Sequence, residues 1–343
     1  MSGSKLRVLA LVHRHLVPPE SVAEGTDLVS APWRTEYDVI STLRTMGHEV
    51  QVLGVHDDLG DIRRASAEWK PHIAFNLLEG FADVAIFDQN VVSHLELLKL
   101  PYTGCNPRGL LLARDKSLSK KLLAYHRIGV PEFEVFRIGR PVRRPRRLSF
   151  PLMVKSLTQE ASVGISQASV VDTDEKLRER VGFIHGSIGT AAIVEQYIEG
   201  RELYVGVLGN QVLQALPVWE LFFTNMPADA WRIATDRVKW SVKYQQKHGI
   251  ESGPARELSE AASGDIQHLC KRAYRALELS GYARIDLRLD EAGTVWVLEA
   301  NPNPQIARGE DFAASAEKAD LGYEALLQRI LNLGLRWQPE SVA

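Results

Sequence analysis

The run Leu6–Val12, LRVLALV, constrains the chain most, because it is mostly apolar and shows no alternation. A strand with one face in water alternates; a continuous apolar run demands cover on both faces, as in a parallel sheet flanked by helices. Two further runs fit the same sheet, EVQVL at 49–53 and HIAFNLL at 72–78. Between them the spacing predicts helices at 33–46 and 61–69, and a third helix follows at 88–99. Strand–helix–strand alternation of this kind gives a small parallel sheet with right-handed crossovers.

The texture changes at Pro101. YTGCNPRG is rich in turn formers, and a helix is predicted from near Asp115 to Gly129. The segment 137–151, RIGRPVRRPRRLSFP, is basic and broken by proline; with few aromatics between the arginines it fits a solvated loop better than a nucleic-acid surface. Strands are predicted at PLMVKSL, AAIVEQYI and RELYVGVLGNQVLQALPVW, the last folding back at Gly209-Asn210, with a helix capped by Thr173 or Asp174 between the first two. Residues 220–255 lack a period and are taken as irregular. A helix carrying Ile266, Leu269, Ala273 and Leu277 comes next, then a hairpin, YARIDLRLDEAGTVWVLEANPNP, turning at Glu291–Gly293, and a closing helix.

Bulk properties exclude several classes. A length of 343 residues allows two or three packed lobes. A net charge of −2 exerts no general pull on nucleic acid or membranes, and the single apolar run at the start is too short for a membrane span, so a cytoplasmic location is expected. Cys105 and Cys270 do not support a disulfide framework. The histidines are scattered and lack zinc-ligand spacing.

The hairpin carries the candidate chemistry. Period two puts Arg284 with Asp286 on one strand face and Glu299 with Asn301 on one face of the other. Two carboxylates and an amide oxygen are hard ligands suited to Mg²⁺; the plain alternative is a solvated hairpin with incidental acids. Lys155 ends a buried strand, where a phosphate is a plausible partner and snorkelling the alternative. The loop Glu160–Gly164 offers small residues whose N–H groups suit phosphate oxygens.

In order, DK (115–116), VK (154–155), ASVGIS, VEQYIEGRE (194–202), KY (243–244), PA (254–255), ARID (283–286) and EANP (299–302) resemble the D-alanine–D-alanine ligases of the ATP-grasp superfamily. The resemblance implies an α/β chain of α+β lobes: an N-terminal Rossmann-like lobe (1–106), a central ATP-grasp subdomain with the phosphate loop (107–195), and a C-terminal one with the metal site (196–343). It implies ATP as co-substrate and Mg²⁺ as a pair of ions, with Mn²⁺ a substitute. Lys116 and Lys155 would contact the phosphates and Ser162, Val163 and Gly164 close over them. Glu195, Gln196 and Ile198 would line the adenine, Glu202 hold the ribose, and Lys243 reach the γ-phosphate. Arg284 would steady charge on the reacting carboxylate, and Asp286, Glu299 and Asn301 bind the metals. A homodimer through the N-terminal lobe, small-molecule substrates, and no nucleic-acid or membrane partner are also implied.

The implied activity is an ADP-forming carboxylate–amine ligation through an acyl phosphate. A small-molecule kinase, a nucleotide binder without catalysis and a true D-alanine ligase are the alternatives. The substrate side departs from the family. Its first phosphate-loop serine is Ala161 here, although Tyr244 is kept. The N-terminal glutamate is missing from its place, and Ser30–Glu36 is rearranged behind an insertion. Glu79-Gly80 replaces a His-Gly pair, and Gln305 and Glu310 stand for a glycine and a serine. Added acids favour a cationic partner, so a substrate other than D-alanine is expected, with Arg308 leaving room for a carboxylate. The alternative is that Glu79, Arg308 and Glu310 simply pair with one another.

Overall fold

The computed structural model describes residues 5–23, 25, 27–159 and 163–339. The first apolar run forms β1 (Arg7–His13), buried throughout its middle. It is followed by α1 (Arg34–Thr45), β2 (Glu49–Val55), α2 (Leu59–Trp69), β3 (Ile73–Asn76) and α3 (Asp88–Leu97). The three strands are parallel in the order β2-β1-β3, as two-face burial requires.

Two helices follow, α4 (Pro107–Arg114) and α5 (Lys116–Tyr125). The first lies where the sequence suggests only turns. Asn106 caps it through the Gly109 N–H, Pro107 opens it, and Gly109 is there for space: a Cβ would lie 3.0 Å from the Glu278 carbonyl oxygen. Asp115 caps α5 by accepting from the Ser117 and Leu118 N–H groups.

The middle sheet contains β4 (Phe133–Phe136), β5 (Leu152–Ser156), β6 (Val170–Val171) and, after α6 (Asp174–Phe183), β7 (Ala192–Gln196), in the order β4-β7-β5-β6. The basic segment 137–151 is a loop there, with Arg144 pairing Asp174 at 2.9 Å and Arg147 pairing Glu134 at 2.6 Å.

The last sheet contains β8 (Arg201–Leu208), β9 (Gln214–Ala215) and β10 (Trp219–Phe223). It continues past α7 (Asp236–Trp240) and α8 (Val242–His248) with β11 (Ile250–Pro254), then past α9 (Glu260–Ala276) with β12 (Tyr282–Leu289) and β13 (Val295–Pro302). The main order is β11-β10-β8-β12-β13, all antiparallel. The stretch expected to be irregular, 220–255, thus holds two paired strands and two short helices. The chain closes with α10 (Asp311–Lys318) and α11 (Tyr323–Arg336).

Core packing does not follow the three sheets. Leu9, Leu11 and Ala74 of the parallel sheet share one apolar cluster with Val205, Ile285 and Val297 of the last sheet, bridged by Leu110 of α4 and Tyr274 of α9. The middle sheet has its own core with α6, built on Leu152, Val154, Val181 and Val194. Among the described residues no helix is long and apolar enough to cross a membrane.

Candidate active site

A cleft lies between the middle and last sheets, lined by Lys116, Lys155, Val163, Glu195, Gln196, Ile198, Glu202, Lys239, Asp286, Arg288 and Glu299. Its floor is set by register. Asp286 of β12 pairs directly with Glu299 of β13 and with Tyr204 of β8, while Arg284 pairs with Asn301 and Arg288 with Glu202. The ladder slips after Asp286, so that Leu287 meets Val297 and Leu298 is the extra residue of a bulge. The Leu298 carbonyl, freed from the ladder, accepts from Lys120 Nζ at 2.7 Å.

The charges are interlocked. Arg284 grips Asp286 with both arms of its guanidinium, at 2.7 and 2.9 Å, and lies 4.7 Å over the Tyr204 ring. Glu195 is only 2 % exposed and takes Lys155 at 3.0 Å on one oxygen and Lys120 at 3.3 Å on the other. Burial by itself would raise the Glu195 carboxyl, but the two lysines hold it below the ordinary range. Lys120 is lowered by its burial, with Lys155 adding repulsion, whereas for Lys155 the attraction of Glu195 and Glu299 outweighs burial and raises it. Lys116 donates to the Gln159 carbonyl at 2.7 Å and stands 3.7 Å from Glu299. Burial opposes ionisation of Glu299, yet Lys116, Lys155, Lys239 and Arg284 pull its pKa down to about 2. Asp286 goes the other way: burial raises it, with Glu299 adding repulsion and Arg284 opposing.

Most predicted phosphate and metal residues therefore converge. Lys243 does not: it is exposed on α8, while Lys239 of α7 faces Glu299 and Asp286 from the cleft. Two lysine–aromatic pairs stand four residues apart here, Lys239-Trp240 and Lys243-Tyr244; the sequence resemblance points to Lys243, whereas the lysine that lines the cleft is Lys239. Tyr244 packs on His248 with ring centroids 4.4 Å apart. Ser162 lies outside the described residues, as do Glu160 and Ala161. Val163 lines the cleft, and the Gly164 carbonyl is held by Arg180. Glu202 is engaged on both oxygens, by Tyr204 at 2.9 Å and Arg288 at 2.6 Å. Sequence reasoning missed Lys120, Lys239 and Arg288. Two had a signal: Lys120 is one helical turn beyond Lys116, and Arg288 shares the β12 face of Asp286.

The substrate candidates sit where the N-terminal lobe meets the last sheet. Glu310 pairs with Arg34 at 2.8 Å, and Arg34 also donates to the Arg308 carbonyl. Arg308 pairs with Glu324 at 2.7 Å and covers the Tyr323 ring at 4.2 Å. Gln305 donates to Thr35 at 3.3 Å. Glu79, Arg308 and Glu310 thus do not form a closed set. The unforeseen member is Glu36, in the first turn of α1. It is 5 % exposed, its Oε2 has no hydrogen-bond partner, and among the described residues no cation pairs with it. Burial raises its pKa to about 7, its own backbone N–H opposing and repulsion from Glu79 adding a smaller push upward.

The oxygen set of Asp286, Glu299 and Asn301 fits Mg²⁺ in kind, and among the described residues the buried Asn301 Nδ2 has no hydrogen-bond partner to fix the amide.

Comparison with known proteins matches this geometry to one family. The family model described as D-ala D-ala ligase C-terminus matches residues 122–332. A D-alanine–D-alanine ligase of Desulfotalea psychrophila is 31% identical over 296 residues, covering 85% of this chain and 87% of its own. An uncharacterized protein, y4sG, of Sinorhizobium fredii is 30% identical over 316 residues, covering 89% of each chain. Among solved structures, the D-alanine–D-alanine ligase of Bacillus anthracis complexed with ATP superposes with a TM-score of 0.74 at 21% identity, covering 96% of this chain and 98% of that one, a likeness of fold. The chain belongs to the D-alanine–D-alanine ligase family and is an ATP-grasp ligase that forms a C–N bond.

Proposed function

We propose that the protein spends ATP to activate a carboxylate as an acyl phosphate, which an amine then attacks to give an amide, ADP and phosphate, and that one of its substrates is cationic rather than D-alanine. Support for the first half comes from the cleft. Lys116, Lys155 and Lys239 bring three cations to it, and Met153, Ile165, Ile198, Ile233 and Leu298 give it an apolar wall suited to a purine. Glu202 keeps lone pairs for ribose hydroxyls beside its two present bonds. Asp286, Glu299 and Asn301 would hold Mg²⁺, which when bound neutralises and orients phosphate oxygens. Arg284 is positioned to steady charge on the reacting carboxylate.

The second half rests on one observation, the buried Glu36 carboxylate beside Glu79, whose Oε2 has no hydrogen-bond partner and which no cation among the described residues pairs with. An acid left so has two stable outcomes, protonation or a cation, and an ammonium or guanidinium group of a substrate supplies the second. Arg34 offsets Glu310, and Arg114 partly offsets Glu79, whereas no cation among the described residues pairs with Glu36. The test is phosphate release from Mg-ATP over single and paired amino acids, dipeptides and diamines. The reading expects basic amino acids or diamines to give the fastest release, and hydroxylamine to trap a hydroxamate. Release driven by D-alanine alone, as fast as by any other amine, would reject the cationic substrate while leaving the ligase chemistry intact.

A further inference from the structure

We propose that His13, His56 and Asp83 form a binding site for a divalent transition metal of the zinc type, separate from the Asp286–Glu299 centre. The histidines are scattered in the sequence, but the fold collects them. His13 ends β1, His56 directly follows β2, and Asp83 lies in the turn after β3. All three therefore stand at the carboxyl edge of the parallel sheet, and their ligand atoms lie within 4.8 Å of one another.

The ligand atoms, one from each residue, lie within 4.8 Å of one another, so small side-chain rotations would bring them to a coordination shell. Ligands about 2.0–2.1 Å from a tetrahedral zinc lie about 3.3 Å from each other. Here His56 Nε2 is 3.2 Å and His13 Nε2 3.6 Å from the two Asp83 oxygens. His56 carries the outer support such ligands have: its Nδ1 faces the Asp57 carboxylate at 3.3 Å, which favours a proton there and a free lone pair at Nε2. The His13 ring accepts a long 3.4 Å contact at Nδ1 from the His15 N–H, which is given up when that nitrogen carries the proton. His15 is within reach as a fourth side chain, its ring 5.3 Å from that of His13 and 6.2 Å from that of His56. Two imidazoles and a carboxylate suit zinc, cobalt or nickel, and not magnesium.

The backbone is bent to present these groups. Phe81 and Val84 exchange both hydrogen bonds across a two-residue turn, whose central residues Ala82 and Asp83 have φ of 52° and 59°. Such a turn suits Asn-Gly; an alanine there has no side chain to compensate. The Ala82 N–H donates to the His56 carbonyl at 2.8 Å, which pins the turn beside His56. Gly54 lets the segment bearing His15 lie on β2, since a Cβ would meet Val17 Cγ2 at 2.9 Å and Arg14 Cα at 3.4 Å. A bound metal would fasten the loops after all three strands, including the one that carries Glu79.

The test is calorimetric titration of the metal-stripped full-length protein with Zn²⁺ in excess Mg²⁺, with Co²⁺ absorption as a second readout. One equivalent is expected, with the ligand-field bands of a tetrahedral nitrogen–oxygen site. Asp83→Asn should weaken binding by about 100-fold, a loss at the upper end of that seen when partners of a metal site are removed. His13→Ala/His56→Ala should abolish it while Mg-ATP binding confirms an intact fold. Asp286→Asn/Glu299→Gln should keep the zinc equivalent. Absence of zinc binding, unchanged affinity in the double histidine variant, or loss of the zinc equivalent in the double acid variant would overturn the assignment.

Discussion

The cleft and the junction between the N-terminal segment and the last sheet handle charge differently. In the cleft each acid has a cation: Asp286 has Arg284, Glu299 has Lys116, and Glu195 has Lys120 and Lys155. At the junction Glu36 is buried, and among the described residues its Oε2 has no hydrogen-bond partner. The first arrangement is settled before any ligand arrives, as charge stabilisation without reorganisation requires. The second is incomplete by itself, and its acid stays neutral or awaits a positive group. On the proposed function, the contrast separates machinery common to a reaction from a site that selects what reacts.

Removing the hub of the settled arrangement should have the largest effect. Glu195→Gln leaves two buried lysines without their anion and should cost about 3–5 kcal/mol in urea unfolding. A loss below about 1 kcal/mol would mean that the network is solvated, and the contrast would fail. Glu299→Gln should lower Mg-ATP-dependent phosphate release by about 10²–10³-fold, the range for a lost preorganised electrostatic group. Lys239→Met should cost about 100-fold in the same assay, whereas Lys243→Met should change it by less than about 2-fold; equal effects would return the role to Lys243.

The smallest effect concerns the incomplete arrangement and depends on pH. Glu36 has a folded pKa of about 7 against an ordinary value of 4.5. Below the lower value both states hold the proton and nothing is lost. As pH rises between the two values the unfolded chain releases its proton first, so the folded state loses stability, and the full penalty is in place above the upper one. Glu36→Gln should therefore raise the melting temperature at pH 8 and hardly change it at pH 4, with a gain on the order of 1–3 kcal/mol. A cationic substrate should give the unmodified protein a similar gain at pH 8, which D-alanine should not.

Sequence patterns carried the parallel sheet and the last hairpin because burial on two faces and period-two alternation leave direct marks in residue order. They did not carry α4, whose Gly109 looks like a turn former and is instead a concession to the Glu278 backbone. Nor did they carry β10 and β11, where Trp219–Phe223 and Ile250–Pro254 have no clean alternation and are set by pairing with each other and with β8. Within the site, groups tied to a short motif were legible: Lys116, Lys155, Asp286 and Glu299. Glu36 was not, since its burial depends on how α1 meets the loop after β3, a contact between segments distant in the sequence. The Leu298 bulge was equally hidden, because one residue gained in a strand changes no local composition.

That bulge and the Glu195 hub together have a mechanical meaning. Lys120 on α5 reaches the Leu298 carbonyl of the last sheet with the same ammonium that pairs with Glu195 of the middle sheet. The middle sheet has its own core, while α5 contributes Leu123 to the cluster shared by the other two sheets. One ammonium group thus ties two separately packed bodies together at the floor of the cleft.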